Sequence, residues 1–413
     1  MIQDIYIATL PNGVRLVHKY LPHTRIAHCG FVLDIGSRDE APHQQGIAHF
    51  WEHMAFKGTH KRKAFHIINR LESLGGELNA YTTKEKICFY ASFLDTHYEK
   101  AVELLSDITF DSVFPENQIE RERNVILEEM AMYLDSPDDA IQDDFDSLVF
   151  EGHPLGANIL GTAESVQSFH RQDFRAFMQE NLNTEKVVFA SLGNLSFDKV
   201  KRLAEKYIGP VPPQKASQQR QPFLNFTPKS RQKPYSASQA HCAIGTTAYA
   251  LHHPRRLVFF LVNNLLGGPG LNSRLNLELR EKKGYVYSVE STYQPFLDTG
   301  LFAVYFATEP RHLQKSQQLI LKNFRQLCTQ KLGTLQLHQA KAQLLGQLAM
   351  AEENNLSFML MMGKSLLNLG YIEPLEEIFA AIHQISAEDV LDVANEILSA
   401  ERLCTLVYHP ESE

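Results

Sequence analysis

The sequence predicts an α+β fold made of two homologous units, each a mixed, mainly antiparallel sheet with helices packed on one face. Three observations predict it. A proline- and glutamine-rich stretch from Pro210 to about Lys233 divides the 413 residues into nearly equal halves. The tripeptide Ala27-His28-Cys29 recurs as Ala240-His241-Cys242, an offset of 240 − 27 = 213. Each half then runs strands, helix, strands and longer helices in the same order. The expected organisation is a first domain over 1–215, a linker over 216–235 and a second domain over 236–413.

In the first half, the apolar, β-branched run 24–34 reads as a strand and the stretch that carries His49 and His53 as a helix. The strand-like run Glu77-Leu78-Asn79-Ala80-Tyr81-Thr82-Thr83 follows a Gly75-Gly76 turn, and strand character continues over 81–93. An amphipathic helix follows over 97–110. Good helix formers fill 117–134, and Asp135-Ser136-Pro137 stops that helix. The second half repeats the scheme with a strand over 240–247, a helix over 255–266, strands near 285–293 and 300–307, and a helix from Pro310.

Composition narrows the function classes. The chain is 44% hydrophobic, enough to fill two or three cores of ordinary size. A net charge of −8 offers no basic face for nucleic acid. Five cysteines, an odd number without metal-type spacing, read as free thiols in a reducing compartment. The first ten residues resemble neither a signal peptide nor an Arg-rich presequence, and no run is long and apolar enough to span a bilayer. The expectation is a cytoplasmic protein with no membrane partner.

Chemistry concentrates at His49-Phe50-Trp51-Glu52-His53, which reads H-x-x-E-H, the zinc-protease motif reversed. On a helix the two imidazoles leave one face, and Glu52 projects close enough to reach a water on the metal. A catalytic zinc needs three protein ligands and one open position. The third is sought in the 117–134 helix, where Ile119, Glu122, Ile126, Glu129 and Tyr133 are spaced 3, 4, 3 and 4 and so share a face. Carboxylates inside an apolar stripe are costly without a cation. Glu129 is therefore the candidate oxygen ligand, and Glu122 the partner that orients a histidine. Glu128 falls off this face.

The motif, with a helical glutamate 129 − 53 = 76 residues beyond its second histidine, resembles the insulinase and pitrilysin family of zinc metallopeptidases. So do the stretches Leu10-Pro11-Asn12-Gly13-Val14, Leu74-Gly75-Gly76-Glu77-Leu78-Asn79-Ala80-Tyr81-Thr82-Thr83 and the run from Ser273 to Val289, which together span most of the chain. The resemblance implies a zinc endopeptidase with one Zn²⁺ per chain, acting on short or unfolded peptides, with Glu52 as general base. It also implies that the strand carrying Asn79 and Ala80 is a sheet edge to which substrate adds. Arg280 and Tyr287 match an arginine and tyrosine, seven apart, with which the family holds substrate and steadies the carbonyl oxygen; Tyr285 is the rival tyrosine.

The large family members carry four such units on one chain; with two units that hold both the zinc motif and the arginine–tyrosine pair, this chain resembles the small bacterial members that act as homodimers. Each chain would form half of a clam-shell chamber, with Arg280 and Tyr287 acting across subunits. A noncatalytic processing or assembly subunit of the same fold is the alternative. The loop Gly267-Gly268-Pro269-Gly270 resembles a shortened substrate-binding loop of processing subunits, or is the C-terminal turn of a helix.

The second half serves as an internal control. At the 213 offset His49, Glu52 and His53 fall on Val262, Leu265 and Leu266, and aligning Ala131-Met132 with Ala349-Met350 places Glu122 on Ala340 and Glu129 on Gln347. The scaffold is kept while every position proposed for metal chemistry becomes apolar or neutral.

Overall fold

The computed structural model describes residues 4–216 and 219–411; Ser217 and Gln218, inside the expected linker, lie outside the described residues. The chain divides into two compact units. The first comprises Met1–Met130, Ala157–Arg220 and Met350–Pro374, and the second Ala131–Gly156, Gln221–Ala349 and Leu375–Glu413. Each unit thus takes one segment from the other half of the sequence.

The first unit contains β1 (Ile5–Thr9), β2 (Arg15–Tyr20), β3 (Ile26–Leu33), β4 (Glu77–Thr82), β5 (Ile87–Leu94) and β6 (Val187–Gly193). They form one sheet in the order β1-β2-β6-β3-β5-β4, with β2 and β6 parallel and the other neighbours antiparallel. Side chains alternate across it. Leu16, Phe31 and Phe189 enter a core under the helices Ile47–Ala55, Tyr98–Phe110 and Arg171–Asn181. Val17, Val188 and Ala190 face the other way, onto Met359, Met362 and Leu366 of the helix Asn355–Leu369. The main helical layer lies on one face as expected, and this single helix from late in the chain covers the second face. Gly363 makes the close approach possible, since a Cβ there would stand 2.7 Å from Val32 Cγ2.

The second unit contains β7 (Ser230–Tyr235), β8 (Ala240–Ala248), β9 (Val286–Pro295), β10 (Gly300–Thr308) and β11 (Cys404–Pro410), ordered β7-β11-β8-β10-β9. β7 and β11 are parallel, and the remaining pairs antiparallel. This repeats β2-β6-β3-β5-β4 strand for strand. Phe302, Val304 and Phe306 join a core with the helices Arg256–Gly267 and Ala387–Leu398, while Leu301, Ala303 and Tyr305 meet the helix Pro137–Val149. β3 and β8 carry the repeated Ala-His-Cys, so the 213-residue offset marks a true structural duplication.

Two expectations are corrected. The run 81–93 is not one strand: β4 ends at Thr82, and a hairpin bend closed by Thr83, whose Oγ1 accepts from Lys86 N at 2.9 Å, leads into β5. The linker expected over 216–235 is not all connecting chain, for β7 forms at its end as an edge strand whose Pro234 needs no ladder donor. All five cysteines are free, four of them buried. No helix among the described residues is long and apolar enough to cross a membrane.

Candidate metal centre

The helix Ile47–Ala55 is fixed at its start by a buried carboxylate. Glu40 accepts from Gly46 N at 2.9 Å and from Ala48 N at 2.8 Å, taking up donors that the first helical turn leaves orphaned. Gly46 sits at φ +93°, and a Cβ on it would meet Leu160 O at 2.4 Å, so only glycine fits there. Ile47, Phe50, Trp51 and Met54 anchor the inner face in the core. His49, Glu52 and His53 are left on the opposite side.

There His49, His53 and Glu129 present one ligand atom each, all within 4.8 Å of one another. His49 Nε2 stands 3.8 Å from Glu129 Oε1, and His53 Nε2 stands 3.6 Å from Glu129 Oε2. These gaps are too long for hydrogen bonds. They suit the edges of a tetrahedron around zinc, where bonds of about 2.0–2.1 Å put neighbouring ligands about 3.4 Å apart. The donor set of two imidazoles and one carboxylate has the composition of a catalytic zinc site. The residues fit the ion.

Electrostatics agree with the geometry. Burial, reinforced by the neighbouring His53, lowers His49 to about 3, so its ring stays neutral with a lone pair to donate. Burial also tends to raise Glu122, but hydrogen bonds from His53 Nδ1 at 2.9 Å and Lys57 Nζ at 2.6 Å outweigh it and hold the carboxyl below its ordinary range. An ionised Glu122 makes Nδ1 the protonated nitrogen of His53 and turns bare Nε2 toward Glu129. Replacing Glu122 by Gln is expected to weaken zinc binding about 10–100-fold in chelator competition while the fold persists; unchanged affinity would reduce Glu122 to a structural partner of Lys57.

Glu52 lies beside this cluster. Burial, together with the charge of Glu129, raises its proton affinity against the opposing pull of Thr82 and His53. Thr82 Oγ1 donates to Glu52 Oε2 at 2.6 Å, which orients the carboxylate and leaves Oε1 without a hydrogen-bond partner among the described residues. Thr82 ends β4, the outermost strand of its sheet, and so joins the edge strand to the catalytic candidate. Asn79 and Ala80 lie on β4, where Ala80 N donates to Asn79 Oδ1 at 2.8 Å. Glu128 is exposed, as its position off the stripe requires.

Four contributors escaped the sequence reading. Lys57 lies four residues beyond His53, a helical spacing that could have revealed it. Thr82, Glu40 and Arg220 gave no such signal. Arg220 donates to both oxygens of Asp39 at 2.7 Å, to Asp34 Oδ1 at 2.7 Å and to Glu85 O at 2.9 Å. It thereby ties the loop leading to Glu40 to the hairpin that follows Thr82.

Arg280 and Tyr287 form a pair in the second unit, the guanidinium carbon 5.7 Å from the ring centroid. Arg280 lies on the π-helical turn Asn276–Glu281, and Tyr287, near the start of β9, is 85% exposed. Tyr285 precedes the strand and does not share its presentation: its ring stacks on His312 at 4.4 Å, and its carbonyl accepts from Thr308 Oγ1. The Gly267–Gly270 loop closes the helix Arg256–Gly267, where a Cβ on Gly267 would stand 2.7 Å from Ser291 N. The counterparts of the metal stripe keep its burial without its chemistry: Ala340 is buried like Glu122, and Gln347 is half-buried like Glu129.

Comparison with known proteins gives a consistent result. The profile of the insulinase domain, peptidase family M16, matches residues 15–163, and that of the peptidase M16 inactive domain matches residues 168–344. The chain is 34% identical over 400 residues to the uncharacterized zinc protease YmxG of Bacillus subtilis, covering 97% of each chain. It is 31% identical over 413 residues to an uncharacterized zinc protease of Rickettsia bellii, covering 98% of each. Among solved structures, a peptidase M16 inactive domain protein of Pseudomonas fluorescens superposes with a TM-score of 0.92 at 19% identity, over 99% of this chain and 98% of that one. A protease from Helicobacter pylori gives 0.90 at 21% identity, over 98% and 99%. At these identities the two structures speak for the fold alone.

Proposed function

Because the chain belongs to the insulinase family of peptidases, peptidase family M16, we propose that it is a zinc-dependent endopeptidase for short or unfolded peptides, holding one zinc ion on His49, His53 and Glu129. The observation that carries this reading is the convergence of those three side chains beside Glu52, with His53 Nδ1 held 2.9 Å from Glu122 Oε1.

Zinc, when bound, supplies a Lewis acid that brings the acidity of a water toward neutrality. Burial keeps His49 neutral, Glu122 orients His53, and Lys57 keeps Glu122 ionised. Glu52 Oε1 takes the proton of the attacking water, while Thr82 holds Oε2; the raised proton affinity suits a group that then delivers that proton to the leaving amine. A peptide adds to β4 as a further strand, with Asn79 and Ala80 at the contact, so that backbone hydrogen bonds supply affinity with little sequence demand. The amide of Asn79 covers Ala80 N–H until a strand arrives.

The exposed Arg280–Tyr287 pair supports a homodimer in which each subunit lends the pair to its partner's peptide, offering donors to the carbonyl oxygen as it gains charge. A quenched peptide library incubated with the purified chain tests the function. Internal cleavages that a chelator stops and zinc restores are expected; zinc-loaded chain that cuts nothing would favour a noncatalytic subunit.

A further inference from the structure

The second unit holds a polar cavity of about 320 Å³ that takes no part in the chemistry above. Arg274, Glu278 and Lys282 line one side, with Asn323, Gln326 and Lys331 on the other. Its lysines are already neutralised, Lys282 by Glu278 at 3.0 Å and Lys331 by Glu388. Asn323 Nδ2 is committed to Leu319 O.

Arg274 differs from these. Its guanidinium is half-buried, yet no carboxylate, carbonyl or aromatic ring partners it among the described residues, and burial alone depresses its pKa. Arginine does not shed its proton in compensation. A charge withdrawn from water and left unpaired weakens the fold unless something arrives to pair with it. What a planar guanidinium with paired N–H donors takes best is an anion with two oxygens in one plane. The Gln326 side chain, which has no hydrogen-bond partner among the described residues, stands by as a further donor.

We propose that the Arg274 cavity is a binding site for a small oxyanion, a carboxylate or phosphate group held bidentately by the guanidinium. The site is independent of the zinc reading, so the two can fail separately. Thermal unfolding of the full-length chain in a phosphate-free buffer, titrated with inorganic phosphate against sodium chloride of equal ionic strength, tests it. A second arm uses a short N-acetylated peptide with a free C-terminal carboxylate and its C-terminal amide, which separates a peptide carboxylate from free phosphate as the source.

The expected result is a saturable rise in midpoint with phosphate or with the free-acid peptide but not the amide. Arg274→Gln loses that response, weakening binding at least about tenfold. It also unfolds no earlier than wild type in anion-free buffer, because it removes an uncompensated charge. Arg274→Lys keeps the charge, loses the fork and falls between them. Equal responses from wild type and Arg274→Gln, which would mark general salt stabilisation, or no response from wild type to either probe, would overturn the proposal.

Discussion

Replacing Glu52 by Gln is expected to lower kcat on an unstructured peptide by about 10³-fold while leaving zinc content and thermal stability close to wild type. The magnitude follows from what a positioned general base contributes, about 10²–10⁴-fold. Gln has the same volume and can still accept from Thr82 Oγ1, so the packing beside β4 persists. Glu52 stands outside the three-ligand cluster, so metal affinity has no reason to change. What disappears is the carboxylate able to take and return a proton. Steady-state kinetics on one quenched peptide cut by wild type check this, and a fall in KM alone, or retained kcat, would remove Glu52 from the chemistry.

Replacing Glu129 by Ala is expected to act on the metal first and on turnover as a consequence. Zinc binding of about 10–16 kcal/mol in well-formed sites, shared among four ligands, assigns about 3 kcal/mol to each, or about 10²–10³ in affinity. Glu129 is half-buried, and its ion-pair contacts among the described residues are to His49 and His53, at distances beyond hydrogen bonding, so its loss leaves no buried group orphaned. The unfolding midpoint of the metal-free variant should therefore match that of the metal-free wild type. Chelator competition and calorimetric unfolding of both chains separate a lost ligand from a lost fold; a variant that binds zinc as wild type does would exclude Glu129 from the site.

Much of this centre was legible because its signals are local. The reversed motif fixes three side chains within five residues, and the stripe from Ile119 to Tyr133 shows carboxylates where a helix should bury apolar groups. Burial of Glu122 between Ile119 and Ile126 is that pattern made physical. Duplication was legible for the same reason, as the Ala-His-Cys repeat falls on equivalent strands.

What escaped depends on long-range contacts or unmarked turns. The bend between β4 and β5 carries Thr83-Lys84-Glu85-Lys86, without glycine, proline or asparagine to announce it; its own threonine and buried charges close it. The helix Asn355–Leu369 reads as apolar in the sequence, but nothing local says that Met359 and Met362 will meet Val17 and Val188. Glu40 and Arg220 look like ordinary surface charges until the fold brings helix N–H groups to one and two aspartates to the other.

The central claim is that His49, His53 and Glu129 hold one zinc ion beside Glu52. Zinc content per chain, measured on wild type, Glu52→Gln and Glu129→Ala after identical dialysis against a weak chelator, tests it most directly. One equivalent is expected in wild type, one in Glu52→Gln, and well below one in Glu129→Ala. Equal zinc in wild type and Glu129→Ala, or a wild-type chain that takes up none, would contradict it.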